Sequence, residues 1–91
     1  MSVSVRVPAQ LRTLTGGVGE VQVEATTVGE ALKALDVAHP GFAERLFDSA
    51  GELRRFVNVF VADEDVRFLD GLATPVAEGQ VISVVPAVAG G

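Results

Sequence analysis

Val3, Val5 and Val7 alternate with Ser4 and Arg6, and Pro8 follows. Alternation with period two is the mark of a strand with one buried face, and a proline stops it. Val21-Gln22-Val23-Glu24 alternates in the same way. Between these stretches, Thr13–Gly19 carries Gly16, Gly17 and Gly19 and reads as turn chemistry. Together they predict a hairpin, expected near the middle of the sheet. Next, Thr27-Val28-Gly29-Glu30 forms a capping box: the Thr27 hydroxyl accepts from the Glu30 amide while the Glu30 carboxylate reaches back. Val28, Ala31, Leu32, Leu35 and Ala38 then fall on one helical stripe, with Glu30, Lys33 and Asp36 off it. His39-Pro40-Gly41 ends that helix, and Phe42–Phe47 predicts a short second one. Arg55–Val61 gives the strongest strand signal, with Val57, Val59 and Val61 on one face and Phe56, Asn58 and Phe60 on the other. Asp63-Glu64-Asp65 reads as a turn, Val66-Arg67-Phe68 as a brief edge strand and Val81–Val85 as a final strand that Pro86 ends.

One sheet of four to five strands with a main helix across one face buries every one of these stripes, which makes an α+β domain. With a hairpin first and the last strand beside the first, the topology is a mixed-sheet, ubiquitin-like β-grasp. Residues 1–86 form the domain and residues 87–91 a flexible tail. Opposite the helix, Phe56, Asn58, Phe60 and Ser83 lie on the outer face. Two aromatics flanking an asparagine on a small domain read as a partner-docking surface.

Composition narrows the chemistry. Ninety-one residues support one core and hardly a deep cleft as well. The chain has no cysteine and one histidine, which removes disulfides, thiol nucleophiles and zinc fingers. A net charge of −5 with a single lysine points away from nucleic acid and from anionic membranes. No apolar run approaches the roughly 18 residues of a membrane span, and the Met1-Ser2-Val3-Ser4 start does not look like a signal peptide. The expectation is a soluble, cytoplasmic domain without a metal site or catalytic residues, working with catalysts that other proteins supply. His39 is explained by a helix C-terminus, which favours a cation. Asp63-Glu64-Asp65 lacks the frame of a calcium loop, and Gly16-Gly17-Val18-Gly19 lacks the lysine of a phosphate loop.

The ending Pro86-Ala87-Val88-Ala89-Gly90-Gly91 is the most telling feature. From Val85 to Gly91 the tail reaches about 20 Å at roughly 3.3–3.6 Å per residue. Without Cβ atoms on its last two residues, it can thread a channel too narrow for side chains. That is what presenting the Gly91 carboxylate to another enzyme requires.

Nearly the whole chain resembles the ubiquitin-like sulfur carriers of the ThiS/MoaD type, the family of the thiamine carrier and the small subunit of molybdopterin synthase. The resemblance is carried by Arg55-Phe56-Val57-Asn58-Val59-Phe60-Val61, Asp63-Glu64-Asp65-Val66-Arg67-Phe68, Gly71-Leu72-Ala73-Thr74 and the Pro86–Gly91 ending. Within the family the chain is most similar to carriers that feed actinobacterial cysteine biosynthesis. Glu78-Gly79-Gln80 replaces a commoner Asp-Gly-Asp turn. The resemblance implies a carrier rather than an enzyme. An ATP-using, ubiquitin-activating-like adenylyltransferase/sulfurtransferase adenylates Gly91, and a sulfur donor displaces AMP to leave a thiocarboxylate. In the cysteine branch a pyridoxal-phosphate cysteine synthase and a zinc metalloprotease complete the route. Molybdopterin and thiamine synthesis, or transfer of Gly91 to protein lysines, are the alternatives it implies.

Overall fold

A computed structural model describes residues 1–86 of the chain. Five strands form one sheet: β1 (Ser2–Arg6), β2 (Glu20–Glu24), β3 (Val57–Val61), β4 (Glu64–Asp65) and β5 (Val81–Pro86), in the order β2-β1-β5-β3-β4. β1 and β5 run parallel, with Val5 beside Ile82, and the other pairs are antiparallel. The α+β architecture is therefore as expected, with one relocation. The opening hairpin occupies one side of the sheet, and β5 takes the centre. Its Val-Ile-Ser-Val-Val run suits a strand bonded on both edges.

Helix α1 (Val28–Ala38) crosses one face of this sheet. Val28, Ala31, Leu32 and Leu35 press onto Val3, Val5, Val59, Val61, Ile82 and Val84, all of them buried in a single core. The cap forms as the sequence indicates: Thr27 Oγ1 accepts from the Glu30 amide at 3.2 Å. The Glu30 carboxylate reaches one residue further back, taking the Thr26 amide at 2.8 Å and the Thr26 hydroxyl at 2.6 Å. Those bonds to its charged form hold the Glu30 carboxyl below the usual carboxylate range. Ala38 is exposed although it continues the stripe. It is the last helical residue, and the chain turns away to seat Phe42 and Leu46 of α2 (Phe42–Leu46) in the core instead. Asp36 Oδ1 fixes that turn by accepting from the amides of Gly41 at 3.2 Å and Ala43 at 2.9 Å. Gly29 lets a second segment come close: a Cβ there would lie 3.1 Å from the Leu72 carbonyl oxygen.

Four local expectations change. The link between β1 and β2 is not bare turn but contains a 3-10 helix over Ala9–Thr15, which begins directly after Pro8 and lays Leu11 and Leu14 on the core. The turn expected at residues 63–65 is made by Ala62 and Asp63, whose φ values are 51° and 68°. Glu64 and Asp65 already belong to β4. Val66–Phe68 is a 3-10 turn rather than an edge strand, because Asp65 Oδ1 caps it by accepting from the Arg67 amide at 2.9 Å. Finally, β3 begins at Val57, so Arg55 and Phe56 lie in the preceding turn, and Pro86 is the last residue of β5.

Candidate functional site

The centre of interest is the end of β5, where the chain leaves the described fold. Pro86 pairs in register with Val57. Proline has no N–H, and the Val57 amide is donated to the Arg54 carbonyl at 3.0 Å, so this pair closes the ladder. Ala87, Val88, Ala89, Gly90 and Gly91 lie outside the described residues.

Outward from that end, register defines a face. Asn58 sits opposite Val85, and Phe60 sits opposite Ser83, which is itself beside Arg6 of β1. Asn58, Phe60 and Ser83 are half-buried, and Val85 is 46% exposed. This is the outer face expected from the alternation, since Val57, Val59 and Val61 all point the other way. Arg67 braces it: its Nη1 donates to Asn58 Oδ1 at 3.0 Å and its Nη2 to the Arg54 carbonyl at 2.8 Å.

Phe56 does not belong to the same row. It is 49% exposed in the turn before β3 and lines a hollow of about 410 Å³ with Leu11, Arg45, Arg54 and Pro86. The structure thus separates the expected patch into two parts. Asn58 and Phe60 occupy the sheet face, and Phe56 stands beside the origin of the tail. A neighbouring hollow of about 350 Å³ is lined by Arg6, Arg12, Val85 and Pro86. Sequence reading missed Val85 and the arginines. Val85 follows from the same alternation that exposes Ser83, whereas the arginines are far apart in the chain and only the fold assembles them.

A larger hollow of about 640 Å³ lies on the helix side, between Val37, Phe47 and Leu72. It shares no lining residue with the two at Pro86. Every buried side-chain nitrogen and oxygen among the described residues has a hydrogen-bond partner. His39 caps α1 through its amide, which donates to the Leu35 carbonyl at 2.8 Å.

A helix cradled by a mixed five-stranded sheet, whose last strand is central and runs into a glycine-ended tail, defines a ubiquitin-like β-grasp protein. Residues 5–91 match the sequence profile of the ThiS family, and the chain belongs to that family. Over 93 aligned residues it is 47% identical to the sulfur carrier protein CysO of Mycobacterium tuberculosis, with 100% of both chains covered. Its fold superposes with a TM-score of 0.91 on a chain of the crystallised BexX/CysO complex of Amycolatopsis orientalis, at 44% identity and with 98% and 99% of the two chains covered. It is also 43% identical, over 65 residues, to small archaeal modifier protein 3 of Haloferax volcanii, covering 71% of this chain and 70% of that one.

Proposed function

We propose that this chain is a sulfur carrier for cysteine biosynthesis whose Gly91 carboxylate is converted to a thiocarboxylate. The observation that carries this reading is the 47% identity, over the full length of both chains, to the CysO sulfur carrier. The outer face and the tail divide the work. Pro86 anchors the start of the tail in the sheet, and Ala87, Val88, Ala89 and Gly90 extend Gly91 into partner active sites.

A carboxylate is a poor acyl donor because its charge repels nucleophiles and oxide is a poor leaving group. In the proposed first step a Gly91 oxygen attacks the α-phosphorus of ATP, and pyrophosphate leaves. Hydrosulfide delivered by the sulfur donor then attacks the acyl carbon, AMP departs with the bonding pair, and loss of the sulfur-bound proton leaves the thiocarboxylate. The partners supply the catalysis: the activating enzyme with ATP, a pyridoxal-phosphate cysteine synthase that receives the sulfur, and a zinc metalloprotease that releases the product. The carrier works beside these partners in the cytoplasm.

Ordering about six tail residues costs roughly 1–2 kcal/mol each in backbone entropy. The folded surface must therefore contribute affinity, and Asn58, Phe60 and Phe56 are the docking residues we assign to it. That the related CysO of Amycolatopsis orientalis is crystallised with BexX supports a protein partner.

The test is a variant with one residue appended after Gly91, incubated with the activating enzyme and ATP. Pyrophosphate release is expected to vanish while thermal unfolding stays unchanged; continued adenylation overturns the proposal. The similarity to an archaeal modifier supports a second reading, transfer of Gly91 to protein lysines. Conjugates of higher mass in place of free thiocarboxylate would favour it.

A further inference from the structure

The seven cationic side chains of the molecule are six arginines and Lys33, set against twelve acids. Four of the arginines, Arg6, Arg12, Arg45 and Arg54, line the two hollows that share Pro86 as a wall. In a chain of net charge −5, this gathers most of the positive charge at one place.

How these arginines are held is equally informative. Guanidinium groups pair readily with carboxylates, yet the one ion pair among the described residues joins the Met1 ammonium to Glu24 at 3.2 Å. Three of the four donate to neutral oxygens instead. Arg12 Nε reaches the Val7 carbonyl at 3.1 Å, and Arg45 Nη1 reaches that of Gly41 at 3.2 Å. Arg54 Nε and Nη2 both bond the Glu44 carbonyl, at 3.2 and 3.0 Å. Gly19 keeps space for Arg12, since a Cβ there would lie 3.2 Å from the guanidinium. A carbonyl fixes the direction of a guanidinium without cancelling its charge. Glu20 is the ladder neighbour of Arg6, but the two do not form an ion pair.

We propose that this arginine collar docks a partner protein whose tail-receiving channel is rimmed by aspartate and glutamate side chains. The proposal deepens the carrier reading and rests on it for what the tail does next. Nucleic acid is the poorer fit, because a long polyanion feels the whole acidic molecule, whereas a rim of carboxylates meets the collar within a screening length of about 8–10 Å. Exposed ion pairs are individually weak but speed encounter, which suits a carrier that must bind and leave several enzymes.

The experiment titrates the isotope-labelled full chain with a polyglutamate peptide and, separately, with single-stranded DNA of equal charge, following amide and arginine Nε resonances. Peptide-induced shifts are expected at Arg6, Arg12, Arg45 and Arg54. Arg6→Gln with Arg45→Gln, both exposed sites, is expected to weaken peptide binding roughly tenfold, while Lys33→Gln leaves it unchanged. Shifts centred on Lys33, unaltered binding by the double variant, or tighter binding of DNA would each overturn the proposal. Should the double variant unfold, wild-type affinity must still fall with added salt; salt-independent binding counts against the collar. Failure of Gly91 to acquire sulfur removes the carrier reading but leaves this titration intact, so the two failures are distinguishable.

Discussion

On the inner face of the sheet, Val5, Val59 and Ile82 are fully buried beneath α1. One residue along each strand, on the outer face, Arg6 is exposed and Asn58 and Ser83 are half-buried. The same three strands thus present a sealed aliphatic surface on one side and a polar, partly aromatic one on the other. The difference teaches which face holds the fold together and which keeps polar and aromatic groups at the surface. Val, Ile and Leu on the inner side make no polar demands and fill space. On the outer side, Asn58 is oriented by Arg67, and Phe60 stands between Ser83 and Asp65 in the ladder. These side chains are held in place but left partly in water.

The sharpest way to break this comparison is to cut into the sealed side. Leu32→Ala removes a fully buried side chain of α1 and is expected to cost about 2–5 kcal/mol. That is a large share of the roughly 5–15 kcal/mol available to a domain. Denaturant unfolding should show it, while the folded fraction keeps its competence for activation. A loss below about 1 kcal/mol would mean that the inner face is not the stabilising one.

Phe60→Ala probes the opposite side. That ring is less completely buried than Leu32, so a smaller loss of about 1–2 kcal/mol is expected. Affinity for the activating enzyme, measured by calorimetry, should fall severalfold. A strong shift in unfolding with unchanged binding would reassign Phe60 to the core.

Glu30→Gln gives the smallest effect and marks where the comparison stops, at the exposed rim of α1. Because the folded state lowers the Glu30 carboxyl, mainly through the Thr26 hydroxyl and amide, its contribution is complete above the ordinary carboxylate pKa. It is lost as pH falls through the lower folded value. The wild type should therefore lose slightly more stability than the glutamine variant on acidification, in paired thermal melts. Identical acid dependence would contradict the cap's role.

Legibility in the sequence followed these same physical lines. Periodicity revealed β1, β2, α1, β3 and β5 because their buried stripes are regular, and the Thr27–Glu30 cap because it is local. Val66–Phe68 misled because a valine and a phenylalanine two apart resemble a strand, while the deciding Asp65 cap depends on one side-chain rotamer. Extending the alternation one residue before Val57 puts Phe56 in the sheet, but the Val57 amide turns to Arg54 instead. Ala9–Thr15 has no strong periodic pattern and is shaped by tertiary packing of Leu11 and Leu14. The arginine collar was invisible for a different reason. Its members come from β1, the segment after it, α2 and the approach to β3, and only the closed sheet brings them together.

The central claim is tested most directly by the intact mass of the chain recovered after incubation with the activating enzyme, ATP and a sulfur donor, with fragmentation to locate any change. Replacement of one oxygen by sulfur at the Gly91 carboxylate, strictly dependent on ATP, is the predicted result. A chain of unaltered mass despite full turnover of ATP by the system, or sulfur found anywhere but at Gly91, would contradict the account.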